Sequence, residues 1–241
     1  MIKRIIPYYI KVRLHLTKRI VLSVINGQYF FFAKKKHHLN SLTNTLKLQQ
    51  ELKPNEAKMK NLLIAIKYIE SIQINPNEIF SFWHTIGNPS KSKGFVKSRS
   101  LVNGNLKDSL GGGLCQLSGL IYYISLYANL EILERHSHSV DIYTDETRFT
   151  PLGSDATVAY GYKDLKIRNN LKGPIRFSFL IEEKYLIINL MHSSSIKKNK
   201  VEFRENEMDK ETVEVDTLIN NELVNRSKYK RLVPNNAYSA Q

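Results

Sequence analysis

The spacing of apolar residues changes at about residue 130, and this change restricts the fold more than any other feature of the sequence. Before it, apolar residues recur every three or four positions in 56–72 and in 115–128, which predicts two helices. After it, apolar and polar residues alternate, which predicts strands. We expect strands at 132–140, 156–162, 165–168, 175–181 and 185–191, and a later pair around Val213 and Leu223. Helices followed by consecutive strands indicate an α+β protein whose sheet is mostly antiparallel.

The same patterns divide the 241 residues into three segments. Residues 1–55 form a basic, amphipathic helical segment with a linker, 56–200 a core domain, and 201–241 a polar C-terminal segment. No run reaches the roughly 18 to 20 apolar residues of a membrane span. The N-terminus also lacks the uninterrupted apolar run and small-residue cleavage site of a secretory signal. We therefore expect a cytoplasmic protein.

The chain is strongly basic, with 36 Lys and Arg against 22 acidic residues. Such an excess favours anionic partners, although lysines on solvated faces explain it equally well. In 1–32 the cations alternate with bulky apolar residues at helical spacing. A helix of this kind either lies peripherally on the inner, anionic face of a membrane or packs on its own domain. No recognised nucleic-acid motif accompanies the charge, so we expect no nucleic-acid partner.

A glycine run, Gly111-Gly112-Gly113, leads directly into the second predicted helix. Glycines permit positive φ and close approach of the backbone. Cys115, the only cysteine, stands at the start of this helix, so an intramolecular disulfide is impossible. The free amides and the dipole at a helix N-terminus favour a thiolate. Gln116 follows, with a side-chain amide that can donate to an oxyanion.

Two histidines downstream, His136 and His138, complete a candidate catalytic set. Their spacing of two places both on one face of a strand, where one can be the base that activates Cys115. Asp155 and Asp164 stand at the ends of the next predicted strands, and either can orient the histidine. A helix-borne Cys followed by His and Asp is the chain order of papain-like and transglutaminase-like thiol enzymes, an analogy at the level of the fold.

Each of these residues also has a structural interpretation. A free cysteine is often a small buried hydrophobic residue. The histidines, with Asp141 nearby, are a weak metal signal, because a stable site normally requires a third ligand with fixed geometry. We expect neither metal nor cofactor. In a binding module, the same histidines, the glycine run, Gln116 and Arg135 would contact a ligand.

Several stretches together resemble the VanW family. The most specific contain Gly-Gly-Gly-x-Cys-Gln, within 111–118, and Glu-Arg-His-x-His-Ser, within 134–141. The other matching stretches are 75–83, 94–95, 101–104, 153–158 and 164–169. The similarity covers about 62–176, and the basic N-terminal helix resembles the short, single-domain form of the family. Asn77 departs from the usual glycine, which affects a turn.

The family occurs beside glycopeptide-resistance genes and in many Gram-positive bacteria, and it has no established biochemical activity. The resemblance implies an accessory role near cell-wall precursor metabolism or glycopeptide resistance. Two functions remain open. One is a thiol hydrolase or acyl/amide transferase that acts on a peptidoglycan-related small molecule or peptide. The other is a non-catalytic module that binds a wall precursor or a membrane surface.

Overall fold

The computed structural model describes residues 7–36, 40–52, 55–102, 105–141, 150–193 and 196–231. Its helices are α1 (Tyr8–Ile25), α2 (Glu56–Glu70), α3 (Phe82–Ile86) and α4 (Leu114–Tyr127). Its strands are β1 (Asn44–Glu51), β2 (Ile79–Ser81), β3 (Lys97–Val102), β4 (Asn105–Leu110), β5 (Glu131–Glu134), β6 (Val140–Asp141), β7 (Lys166–Arg168), β8 (Ile175–Glu182), β9 (Tyr185–His192), β10 (Val201–Glu207), β11 (Thr212–Ile219) and β12 (Glu222–Arg231).

These strands form three sheets and one separate hairpin. The sheets have the orders β1-β9-β8, β2-β7-β5 and β10-β11-β12-β6, and the hairpin is β3-β4. The pairs are antiparallel except for β12 and β6, which are parallel. The predicted α+β class with mostly antiparallel strands is therefore confirmed, as is the late strand pair, now β11 and β12.

Helix α4 lies at the centre of the main core. It packs against α2 and against strands β1 and β9. Its buried residues lie on more than one face, as expected for an apolar helix inside a protein. Each Leu or Ile side chain buried there contributes roughly 1.5–3 kcal/mol. The first turn of α4, which carries the only cysteine, is therefore held by a well-packed helix.

Strand β1 was not predicted, and it lies in the linker part of the 1–55 segment. All eight of its residues pair with β9, so 44–51 belongs to the core sheet. Leu46 and Leu48 are partly buried and Gln50 is buried, which makes a short alternation. The stretch has too few apolar residues for this period to stand out in the sequence.

Two predicted strands differ from the structure, because irregular backbone replaces part of one and all of the other. The strand expected at 132–140 divides into β5 and β6, and the one expected at 156–162 is absent from this described stretch. Strand β2 ends at Ser81, whose hydroxyl accepts a hydrogen bond from the backbone N–H of His84 and caps α3.

None of the described helices has the length and apolar character needed to cross a membrane.

Candidate active site

The glycine run forms a tight turn whose geometry depends on the missing side chains. Gly111 and Gly113 have φ of 77° and 95°, in the left-handed region. Gly112 has no room for a side chain, since a Cβ there would lie 2.2 Å from the carbonyl oxygen of Ser98. Helix α4 begins at the next residue, Leu114. The turn therefore places the partly exposed Cys115 in the first turn of the helix, as predicted.

His138 joins the cysteine to a carboxylate. Its Nδ1 lies 2.7 Å from Oδ2 of Asp155, and its backbone N–H donates to the same oxygen at 2.7 Å. Cys115 lies close enough to the same imidazole to raise its pKa, and its thiol lies 3.7 Å from the carbonyl oxygen of Val158. Because Nδ1 is used by Asp155, Nε2 is the ring nitrogen left for the thiol. Cys115, His138 and Asp155 thus form one cluster, in which His138 and Asp155 are hydrogen-bonded.

The carboxylate of Asp155 is fixed from the side opposite the histidine. The hydroxyl of Tyr229 donates to Oδ1 at 2.6 Å, and Nη2 of Arg135 lies 3.0 Å from the same oxygen. Arg135 also donates through Nε to the carbonyl oxygen of Asp155, and its guanidinium lies over the ring of Tyr122. These contacts hold Asp155 in one orientation, which in turn fixes the ring of His138.

Electrostatic interactions favour the charged form of His138. Burial opposes protonation of His138, but its hydrogen bond to Asp155 and its interaction with Cys115 raise its pKa to about 10. Burial also opposes ionisation of Asp155, yet the hydrogen bond from His138 and the charge of Arg135 lower its pKa well below the usual range. At neutral pH the pair is therefore imidazolium and carboxylate.

His136 belongs to a different network, so the expectation that both histidines share one strand face was wrong. Its Nε2 lies 3.0 Å from Oε1 of Glu134, and Arg19 and Lys166 approach the same carboxylate. Both histidines lie in the connection between β5 and β6. The backbone of this connection does not continue a strand ladder. It is hydrogen-bonded to the neighbouring loop, where the N–H of Thr157 donates to the carbonyl oxygen of His136.

Asp164, the second candidate for orienting a histidine, instead holds the start of α3. Its Oδ2 accepts from the hydroxyl of Ser81 at 2.6 Å and its Oδ1 from the backbone N–H of Trp83 at 3.0 Å. Burial raises the pKa of Asp164. The structure therefore brings Asp155, and not Asp164, to the histidine beside the cysteine.

Two residues expected to face a ligand point into the protein. The side-chain amide of Gln116 donates to the carbonyl oxygen of Glu51 at 2.9 Å, which ties α4 to the end of β1. The side chain of Arg135 is 5% exposed and is committed to Asp155, Gly153 and two residues of β12. Both expectations need correction, because these polar groups are used to satisfy buried protein atoms.

Sequence reasoning missed the contribution of β12. Tyr229 and Ser227 reach the site because β12 pairs in parallel with β6, directly after the histidines. Tyr229 is separated from Asp155 by 74 positions, and neither residue carries a motif that would reveal the contact. Within the described ranges, no group of three or more His, Cys, Asp and Glu side chains is arranged to hold a metal ion.

The fold and the site define an α+β protein in which Cys, His and Asp side chains cluster at the N-terminus of a buried helix. The chain belongs to the VanW family: the family model described as "VanW like protein" matches residues 57–191. The matched range contains Cys115, His138 and Asp155, whereas α1 and β12 lie outside it.

Two curated relatives carry the similarity. The chain is 35% identical over 115 residues to the Vancomycin B-type resistance protein VanW of Enterococcus faecalis, covering 48% of this chain and 42% of that protein. It is 33% identical over 121 residues to the Uncharacterized protein YoaR of Bacillus subtilis, covering 50% of this chain and 38% of that protein. The match thus spans about two fifths of either relative's own length. No solved structure matches the chain significantly.

Proposed function

We propose that this protein is a thiol-dependent hydrolase or acyl/amide transferase. Cys115 is the nucleophile, His138 the proton carrier and Asp155 the residue that orients the histidine. The observation that supports the proposal is the cluster of these three side chains at a helix N-terminus, where His138 is hydrogen-bonded to Asp155 and Cys115 lies beside the imidazole. This constellation recurs on unrelated folds among enzymes that transfer acyl groups. The chain order supports the analogy with papain-like and transglutaminase-like enzymes.

The proposed reaction has two halves. The thiolate of Cys115 attacks a carbonyl carbon, and the bond to the leaving amine or alcohol breaks as the His138 imidazolium gives it a proton. A thioester on Cys115 results. Neutral His138 then takes a proton from water, in a hydrolase, or from an amine, in a transferase, as that group attacks the thioester. The thiolate and the imidazolium are restored.

The proposed substrate class is based on the family to which the chain belongs. The Enterococcus relative is named as a vancomycin-resistance protein. Vancomycin resistance concerns the cell wall, so we infer an accessory role on a peptidoglycan-related peptide or small molecule. Amide and ester bonds of such compounds have the carbonyl carbon that the thiolate requires.

A non-catalytic binding module for a wall precursor is the second candidate. The observation that favours it is the position of Gln116, whose amide bonds to Glu51 instead of facing the thiol. The side chain expected to stabilise an oxyanion is thus turned toward the protein. In a binding module the charged His138 would contact an anionic ligand without any covalent step.

A burst experiment distinguishes the two. We expect p-nitrophenyl acetate to release nitrophenol in a rapid phase of one equivalent, with an acetyl group on Cys115 in the intact mass spectrum. His138→Gln should slow this phase by about 10²–10⁴-fold, the usual contribution of a positioned acid or base. His136→Gln is the matched control and should stay close to wild type. A burst that persists in Cys115→Ser, or no burst in wild type, would favour the binding module.

A further inference from the structure

Helix α1 has one face against the protein and another face exposed. Val12 and Leu16 lie against Gly161, and Arg19 forms a two-contact ion pair with Glu134 at 2.7 and 2.8 Å. Ser23 is buried. These four positions recur every three or four residues, so they lie on one side of the helix. This side attaches α1 to the core.

The opposite side is apolar and exposed. Ile10, Leu14, Val21 and Ile25 are four or seven positions apart and form one stripe, which the 3.6-residue period places across the helix from the attached side. Their exposed fractions are 36%, 58%, 49% and 72%. Phe30 and Phe31, which follow the helix closely along the chain, are also exposed. A contiguous apolar surface of this kind marks an interaction site.

The part of the chain that carries this stripe is strongly basic. Residues 1–50 contain ten Lys and Arg and no Asp or Glu, so they carry +10 of the net charge of +14. Arg13 and Lys18 are exposed on the two flanks of the stripe. An apolar face bordered by cations fits a bilayer with anionic headgroups, where the apolar residues enter the boundary region and the cations meet the phosphates. Two copies of the same positive surface would repel each other.

We propose that the exposed face of α1 docks on an anionic lipid bilayer. The stripe of Ile10, Leu14, Val21 and Ile25 enters the headgroup boundary, and Phe30 and Phe31 extend the apolar contact at one end. The attached side stays on the protein through Arg19 and Glu134. Glu134 also bonds to His136 and lies four positions from His138, so docking would hold the candidate active site near the membrane surface.

The test is co-sedimentation of the full chain with vesicles. One preparation contains equal parts of phosphatidylcholine and phosphatidylglycerol, and the other contains phosphatidylcholine alone. We expect binding to the anionic vesicles, weakening as salt screens the cations. Leu14→Glu with Val21→Glu should reduce binding by at least about tenfold, since both changes put a negative charge into the apolar contact. The matched control is Leu180→Glu, at a 48% exposed position on β8, and it should bind like wild type.

Four results would overturn the proposal. They are no binding to anionic vesicles, equal binding to both preparations, equal loss in the Leu180→Glu control, and a lipid-free dimer that the double variant disperses. The last would make the stripe an interface between copies of the chain. Circular dichroism checks that each variant is folded, and the exposed positions should leave the melting temperature close to wild type. Cys115→Ser should bind as wild type does, which separates this proposal from the proposed activity.

Discussion

At the scale of single residues, the two histidines of one short motif have different carboxylate partners. His138 bonds to Asp155 and His136 to Glu134. The sequence spacing treats the pair as equivalent, and only the surrounding contacts distinguish them. The same holds for the aspartates, since Asp164 bonds to Ser81. The sequence motifs therefore supply the candidate residues, while only the structure shows which carboxylate each histidine contacts.

Glu134 gives a pH-dependent prediction at this scale. Burial opposes its ionisation, but hydrogen bonds to His136 and Arg19 lower its pKa to about 2. A carboxyl whose folded pKa is depressed stabilises the protein above its unfolded pKa and loses that contribution as the pH falls through the folded value. Glu134→Gln should therefore lower the free energy of unfolding by about 3 kcal/mol near neutral pH. The difference should shrink steadily as the pH falls below about 4.5.

Urea unfolding of wild type and variant across this pH range measures the effect. Glu131→Gln is the control, because Glu131 pairs with Arg168 at the surface and should contribute little. A Glu134→Gln difference that stays constant as the pH falls would show that the carboxylate charge does not stabilise the fold.

At the scale of elements, α4 and its glycine turn were predictable because two signals agree. A helical apolar period and three adjacent glycines both place a helix start near residue 114. For the segment after β5, the alternation of apolar and polar residues was the only signal in the sequence that predicted its structure. There the pairing of β5 with β7 shifts register between Ile132 and Glu134, and the chain then bonds to the loop around Asp155. Alternation alone does not reveal such an irregularity.

The glycine turn supplies a prediction of its own. Gly112→Ala would set a methyl group 2.2 Å from the Ser98 carbonyl oxygen, so the turn or the neighbouring strand must move. We expect a loss of more than about 2 kcal/mol in the free energy of unfolding. Gly119→Ala, inside α4, is the control: its methyl group would meet only ordinary contacts of 3.5 Å. That change should be neutral or stabilising by up to about 1 kcal/mol. Equal melting temperatures for the two variants would contradict this account of the turn.

At the scale of the whole molecule, the candidate site is assembled from all three parts of the chain. The family core supplies Cys115, His138 and Asp155. The C-terminal sheet supplies Tyr229, and α1 reaches the adjacent Glu134 through Arg19. The α+β class and the position of Cys115 in the first turn of α4 could be predicted from the sequence, because both depend on local patterns. It did not identify the role of β12, because contacts across 74 positions leave no local signal.

We infer that a charged His138 beside Cys115 makes this thiol a reactive nucleophile, and the rate of iodoacetamide labelling at neutral pH measures that reactivity. Wild type should label faster than His138→Gln, because the neutral amide carries no charge and takes no proton from the thiol. The matched His136→Gln should label at the wild-type rate. Equal labelling rates in all three proteins would contradict a role of His138 at Cys115 and make Cys115 a structural residue.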